Sequence, residues 1–87
     1  MNIYLSSLYV RNLKKIKKKE PTLVPRIKKQ ITFFQANPNH PSLKLHKIQR
    51  GNSSMWSFWI IGDLRITFAY VEDGILFINI GNHSEVY

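Results

Sequence analysis

Leu64 to Val71 alternates strictly, with Leu64, Ile66, Phe68 and Tyr70 on one side and Arg65, Thr67, Ala69 and Val71 on the other. That period of two is the mark of a strand buried on one face, and it leaves little choice of architecture. Glu72, Asp73 and Gly74 follow, and they suit a three-residue turn with glycine in the left-handed position, so that Ile75 to Ile80 returns antiparallel. In that register Phe68 faces Ile78 and Ile66 faces Ile80 in the core, while Thr67 faces Asn79 and Arg65 faces Gly81 on the open side. A slip of one residue would reverse every side chain, so the agreement of both alternations supports the pairing. Arg65, a lone cation on its strand, is thereby aimed at the start of the polar tail Gly81 to Tyr87, which carries His83.

Trp56 to Ile61 reads as the preceding strand, with Gly62 and Asp63 as the turn. A two-residue loop sets Arg65 against Ile60, a three-residue loop sets it against Trp59, and both registers stay open. Upstream, Asn2 to Leu5 is a short strand, and Ser6 or Ser7 caps a helix whose apolar stripe is Tyr9, Leu13 and Ile16. Pro21 disfavours helical geometry at Glu20 and ends that helix. Thr22 is expected to cap a second helix, with Pro25 tolerated in its first turn and Val24, Ile27, Ile31 and Phe34 as its apolar stripe. Asn37 to Ser42 is a loop, Leu43 to Ile48 a short extended segment, and Gly51 to Ser54 a second loop. Residues 1–87 thus form a single α+β domain: an N-terminal strand, then a two-helix antiparallel hairpin packed on a twisted, mainly antiparallel sheet of about four strands.

Eighty-seven residues suffice for one core, and a hydrophobic fraction of 44% is that of a globular chain. With no cysteine there is neither a disulfide framework nor a thiolate metal site. No apolar run approaches a membrane span and Met1 to Val10 lacks a signal-peptide pattern, so a cytoplasmic location without membrane contact is expected. The net charge of +8 is uneven: residues 1–50 hold twelve Lys and Arg against Glu20, whereas residues 51–87 hold Arg65 against Asp63, Glu72, Asp73 and Glu85. Such a basic half attracts a polyanion, either nucleic acid or an acidic protein; its plainer explanation is a solvated face.

An arginine on a sheet needs an anionic partner if it is buried. Asp63, Glu85 or the Tyr87 carboxylate would serve, and so would a phosphate, whose geometry fits the guanidinium fork. Of the three histidines, His40 lies in a proline-rich loop and reads as structural, His46 lies between Lys44 and Lys47, and His83 lies in the tail. Two imidazoles and an arginine are a sufficient set for RNA cleavage without metal or other cofactor. A neutral histidine takes the 2′-OH proton, a protonated one supplies the leaving oxygen, and Arg65 stabilises the charged pentacoordinate phosphate. Five acids and no histidine pair at helical ligand spacing argue against a metal nuclease. Trp56, Trp59 and Tyr87 are candidate stacking residues; core packing is the preferred role for Trp56.

His40-Pro-Ser-Leu-Lys-Leu-His46-Lys-Ile48, Trp56-Ser-Phe58, Asp63-Leu-Arg65-Ile66 and Ile80-Gly-Asn-His83-Ser-Glu-Val-Tyr87 together resemble the RelE/ParE superfamily of bacterial toxins, nearest its RelE, YoeB and YafQ messenger-RNA interferases. The resemblance implies a RelE-like fold and an endoribonuclease that cuts messenger RNA on the ribosome and is silenced by a cognate antitoxin. By position it makes Arg65 the phosphate-binding arginine, His83 the catalytic tail residue and Tyr87 the terminal aromatic against substrate. His46 and Asp63 resemble further active-site positions, and Lys44, Lys47, Arg50 and Trp59 are the expected RNA contacts. Many members of the family carry a basic residue where this chain has Trp59. Two other readings are a ParE-like toxin that binds DNA gyrase, and a catalytically silent module that keeps only the antitoxin interface.

Overall fold

The structure is a computed structural model that describes residues 1–50 and 53–82, except for the side chains of residues 49, 50 and 53. Strand β1 (Asn2–Leu5) leads into helix α1 (Ser7–Lys19), and helix α2 (Val24–Ala36) follows after a short turn. Strands β2 (His46–Arg50), β3 (Ser53–Ile61), β4 (Leu64–Val71) and β5 (Gly74–Asn82) complete the chain. They form one five-stranded sheet in the order β1-β5-β4-β3-β2, parallel between β1 and β5 and antiparallel elsewhere. The fifth strand is β2: of the segment Leu43 to Ile48 expected to be merely extended, Leu43 ends a 3-10 turn and His46 to Ile48 pair with β3, which begins inside the expected second loop.

Ser6 caps α1, its Oγ accepting from the Tyr9 amide at 3.0 Å. Thr22 caps nothing, because Pro21–Leu23 forms a 3-10 turn and α2 begins at Val24 with Pro25 in its first turn. Each helix lays its stripe on the same face of the sheet, α1 against β5 and α2 against β3. The core centres on Phe34, fully buried, with its ring 4.5 Å from Phe58, 4.8 Å from Phe68 and 5.8 Å from Phe77. One α2 side chain thus touches three strands. Burying such a ring contributes about 2–3 kcal/mol. Tyr9 does the same for α1 on Phe77, at 5.3 Å. Tyr70, expected in the core, lies beyond the helices at the end of β4 and is 55% exposed. Trp56 is half-buried against the core.

Both hairpins differ from the simplest register in a way that matters. The β4–β5 turn is one residue tighter than expected, since Val71 pairs with Gly74 and Phe68 with Phe77. A bulge then inserts Ile78, and from Thr67–Asn79 onward the expected pairs return, Ile66 with Ile80 and Arg65 with Gly81. The β3–β4 turn has two residues, Gly62 (φ 55) and Asp63, yet a second bulge at Ile60 sets Trp59, not Ile60, against Arg65. Gly74 has a different reason to be glycine: a Cβ there would overlap the Asn2 carbonyl oxygen of the parallel strand. Asn2 and Tyr4 tie that strand down further by donating to the Asp73 carbonyl and carboxylate, at 3.1 and 2.7 Å. No helix among the described residues is long and apolar enough to cross a membrane.

Candidate functional site

The helices cover one face of the sheet; Arg65 belongs to the other. There it pairs with Trp59 on β3 and Gly81 on β5. Its Nη1 donates to the Lys44 carbonyl at 3.3 Å and to Ser57 Oγ at 3.2 Å. Asp63, the nearest acid in sequence, is exposed in the turn and makes no bond to it. The two hydrogen bonds hold the guanidinium across β3 toward the start of β2 without neutralising it.

The row beside Arg65 runs His46–Ser57–Thr67, each residue paired with the next across neighbouring strands. Ser57 and Thr67 are buried although no helix covers this face, and Thr67 Oγ1 has no hydrogen-bond partner among the described residues. His46 is exposed and shares the face of Ser57 and Arg65. The structure therefore brings His46 and Arg65 to either side of one serine. His40 stands apart: its ring stacks on Phe33 at 4.6 Å and its Nδ1 accepts from the Ser42 amide at 3.1 Å, a structural role.

Trp59 is the hub of the cationic side. Its indole N–H donates to the Gly62 carbonyl at 2.8 Å, which fixes the ring across the turn. Lys44 Nζ lies 4.2 Å and Arg26 Cζ 5.2 Å from the ring centre. Lys44 reaches it because the 3-10 turn Pro41–Leu43 ends with Lys44 in the left-handed region, φ 46 and ψ 52. Arg26 reaches it because its Nε donates to the Ile60 carbonyl at 2.9 Å. One turn further along α2, Gln30 Nε2 donates to the Trp59 carbonyl at 2.9 Å and the Ser42 carbonyl at 3.3 Å. β2 stops pairing at Ser57, so these two side chains satisfy the β3 carbonyls that β2 does not reach.

The remaining candidates scatter. Lys47 pairs with Trp56 and places its ammonium 5.6 Å from that ring, on the side of β2 opposite His46. Asp63 joins Lys15, Lys19, Gly81 and Asn82 in the wall of a cavity of about 330 Å³ between α1 and the ends of β4 and β5. Arg50 ends β2 opposite Ser53, and its side chain lies outside the described part. His83 and Tyr87 also lie outside the described residues, as does Glu85. Described structure ends at Asn82, next to Gly81, the partner of Arg65. Arg26, Gln30, Ser57 and Thr67 were absent from the sequence-based set. Gln30 had a signal: it interrupts the apolar stripe between Ile27 and Phe34, where a polar side chain must find a partner. Among the described residues no group of three or more His, Cys, Asp or Glu could hold a metal ion.

No protein-family model and no curated protein sequence matches the chain. Solved structures do. A mutant of YafQ from E. coli superposes with a TM-score of 0.82 at 17% identity, over 99% of this chain and 97% of that one. The YoeB dimer from Staphylococcus aureus gives 0.78 at 17% identity, over 95% and 97%. A YoeB/ParE toxin from Agrobacterium tumefaciens gives 0.79 at 15% identity, over 95% and 99%. With strand, helical pair and mixed sheet matched almost end to end, the chain has the RelE-like fold of the YafQ and YoeB toxins.

Proposed function

We propose that this chain is the toxin of a toxin–antitoxin pair and acts as a metal-independent endoribonuclease on messenger RNA at the ribosome. The observation that carries the proposal is Arg65, a cation on the helix-free face that shares Ser57 with His46 and has no carboxylate partner among the described residues. A phosphate is the anion this fork fits. The 2′-oxygen attacks phosphorus and loses its proton to one imidazole, while the 5′-oxygen leaves and takes a proton from the other. The product ends are a 2′,3′-cyclic phosphate and a 5′-hydroxyl. His46 and His83 are the two imidazoles, Arg65 holds the charge gathering on phosphorus, and Tyr87 meets the substrate. Lys44, with Trp59, supports the flanking RNA; Lys47, on the other side of β2, and Arg50 are further RNA-contact candidates. Asp63 is kept as an active-site candidate with an outlying position. E. coli YafQ has been solved with DinJ and Staphylococcus aureus YoeB with YefM, which supports an antitoxin partner here too, an acidic one given the charge of +8.

The test is to express wild type, Arg65→Ala and His83→Ala and map transcript ends. Each substitution is expected to lower cleavage by about 10²–10⁴ and to relieve growth arrest with the fold intact. Full toxicity in both variants overturns the site, and DNA damage without transcript cleavage assigns the chain to gyrase instead.

A further inference from the structure

Two cations flank one indole at the turn end of the helix-free face, and a third stands on the strand paired with it. Lys44 Nζ and Arg26 Cζ stand 4.2 and 5.2 Å from the centre of Trp59, and Arg65 is its cross-strand partner. Their polar contacts are the Ile60 and Lys44 carbonyls and Ser57 Oγ, and no carboxylate among the described residues joins them. Like charges held this close repel. Two carbonyls and the face of an indole offset part of that repulsion, since the ring's negative face attracts a cation, but they leave the net charge in place. The three come from separate elements, α2, the turn before β2, and β4, so the cluster is assembled by the fold and is not an accident of one basic run.

We propose that Arg26, Lys44 and Arg65 form a single polyphosphate grip for single-stranded RNA, with Trp59 as the positioning residue that holds Arg26 and Lys44. The inference rests on the RNA reading of the Arg65 face and adds two things to it. Arg26, which also holds the Ile60 carbonyl, becomes a phosphate contact. Trp59 acts through its cations and not as a platform for a base. Arg26 and Lys44 lie within the sum of their distances to the ring, close enough for one strand to engage both while Arg65 takes a neighbouring phosphate. The two residues also explain how β3, uncharged from Trp56 to Ile61, is supplied with positive charge: Arg26 brings it from α2 past the β3 edge that β2 leaves unpaired, and Lys44 from the turn before β2.

The experiment measures affinity of the full chain for a fluorescent, fully 2′-O-methylated hexanucleotide, which cannot be cut, by anisotropy over a series of salt concentrations. Arg26→Gln and Lys44→Gln should each weaken binding about 5–10-fold and lower the salt slope by about one. Arg26→Lys, which keeps the charge but cannot reproduce the guanidinium bond to Ile60, should retain most of the slope. Trp59→Leu should weaken binding in wild type yet add little on top of Arg26→Gln/Lys44→Gln, and Trp59→Phe should restore most of the loss. A Trp59→Leu effect that is fully additive overturns the positioning role. Unchanged affinity and slope in both Gln variants, beside a weakened Arg65→Gln, overturns the grip and spares the RNA reading. If Arg65→Gln also binds as wild type, the RNA reading itself fails.

Discussion

Tyr9 shows what one buried phenol does to this fold. It is 2% exposed against Phe77, and burial pushes its pKa from 10.0 up to about 12. The folded state therefore keeps the phenol neutral where the unfolded chain ionises it. Its stabilisation is intact below pH 10 and is lost as pH climbs toward 12, by about 3 kcal/mol in all. Urea denaturation across that window should show the loss in wild type, and Tyr9→Phe should remove most of it. Tyr4 is raised in the same direction by its bond to Asp73 and leaves a small residual slope. At this scale the sequence was legible where the reason was local. A serine cap at Ser6 or Ser7, Tyr9 in the stripe and Arg65 on the open face follow from residue type and spacing, and the structure selects Ser6. The requirement for glycine at position 74 was not, because the atom that excludes a side chain belongs to Asn2, and only the parallel pairing brings it there.

Among the elements, α2 does more than pack. Its Gln30 and Arg26 finish the hydrogen bonding of β3 beyond the end of β2, and in doing so set the backbone from which Trp59 faces Arg65. Replacing Gln30 by leucine strands the Trp59 and Ser42 carbonyls and should cost about 1–3 kcal/mol, read from the urea midpoint, with the Trp59 fluorescence environment altered in the folded state. The two bulges were illegible because Ile60 lies in an unbroken apolar run and Ile78 fits the alternation expected without a bulge, so nothing local marks either. β2 was legible only as extended chain; His46 to Arg50 is too polar to announce burial on either face. The Arg65–Gly81 pairing came out as expected although the turn did not, since a shorter turn and an inserted Ile78 cancel.

On the scale of the whole molecule, the basic run of α1 and the proposed site occupy different sides. Arg11, Lys14, Lys15, Lys17, Lys18 and Lys19 are all exposed on α1, on the helix-bearing face, whereas Arg65 and His46 lie on the other. A distant field of this kind accelerates encounter with a polyanion without touching the reacting bond. Reversing Lys17 and Lys18 to glutamate should lower kcat/KM for RNA cleavage several-fold, most strongly at low salt, and leave kcat unchanged. The antiparallel strands could be proposed from pattern because each partner lies next in the chain. The parallel closure could not, because β1 and β5 stand at opposite ends of the described sequence. That closure has a consequence for the order of synthesis. The first strand made is the last to find its place: Asn2 to Leu5 must wait for residues 74–77 to leave the ribosome, and β5 also brings Gly81 to Arg65. The closing of the sheet and the seating of Arg65 against Gly81 are thus a single late event, set by one segment.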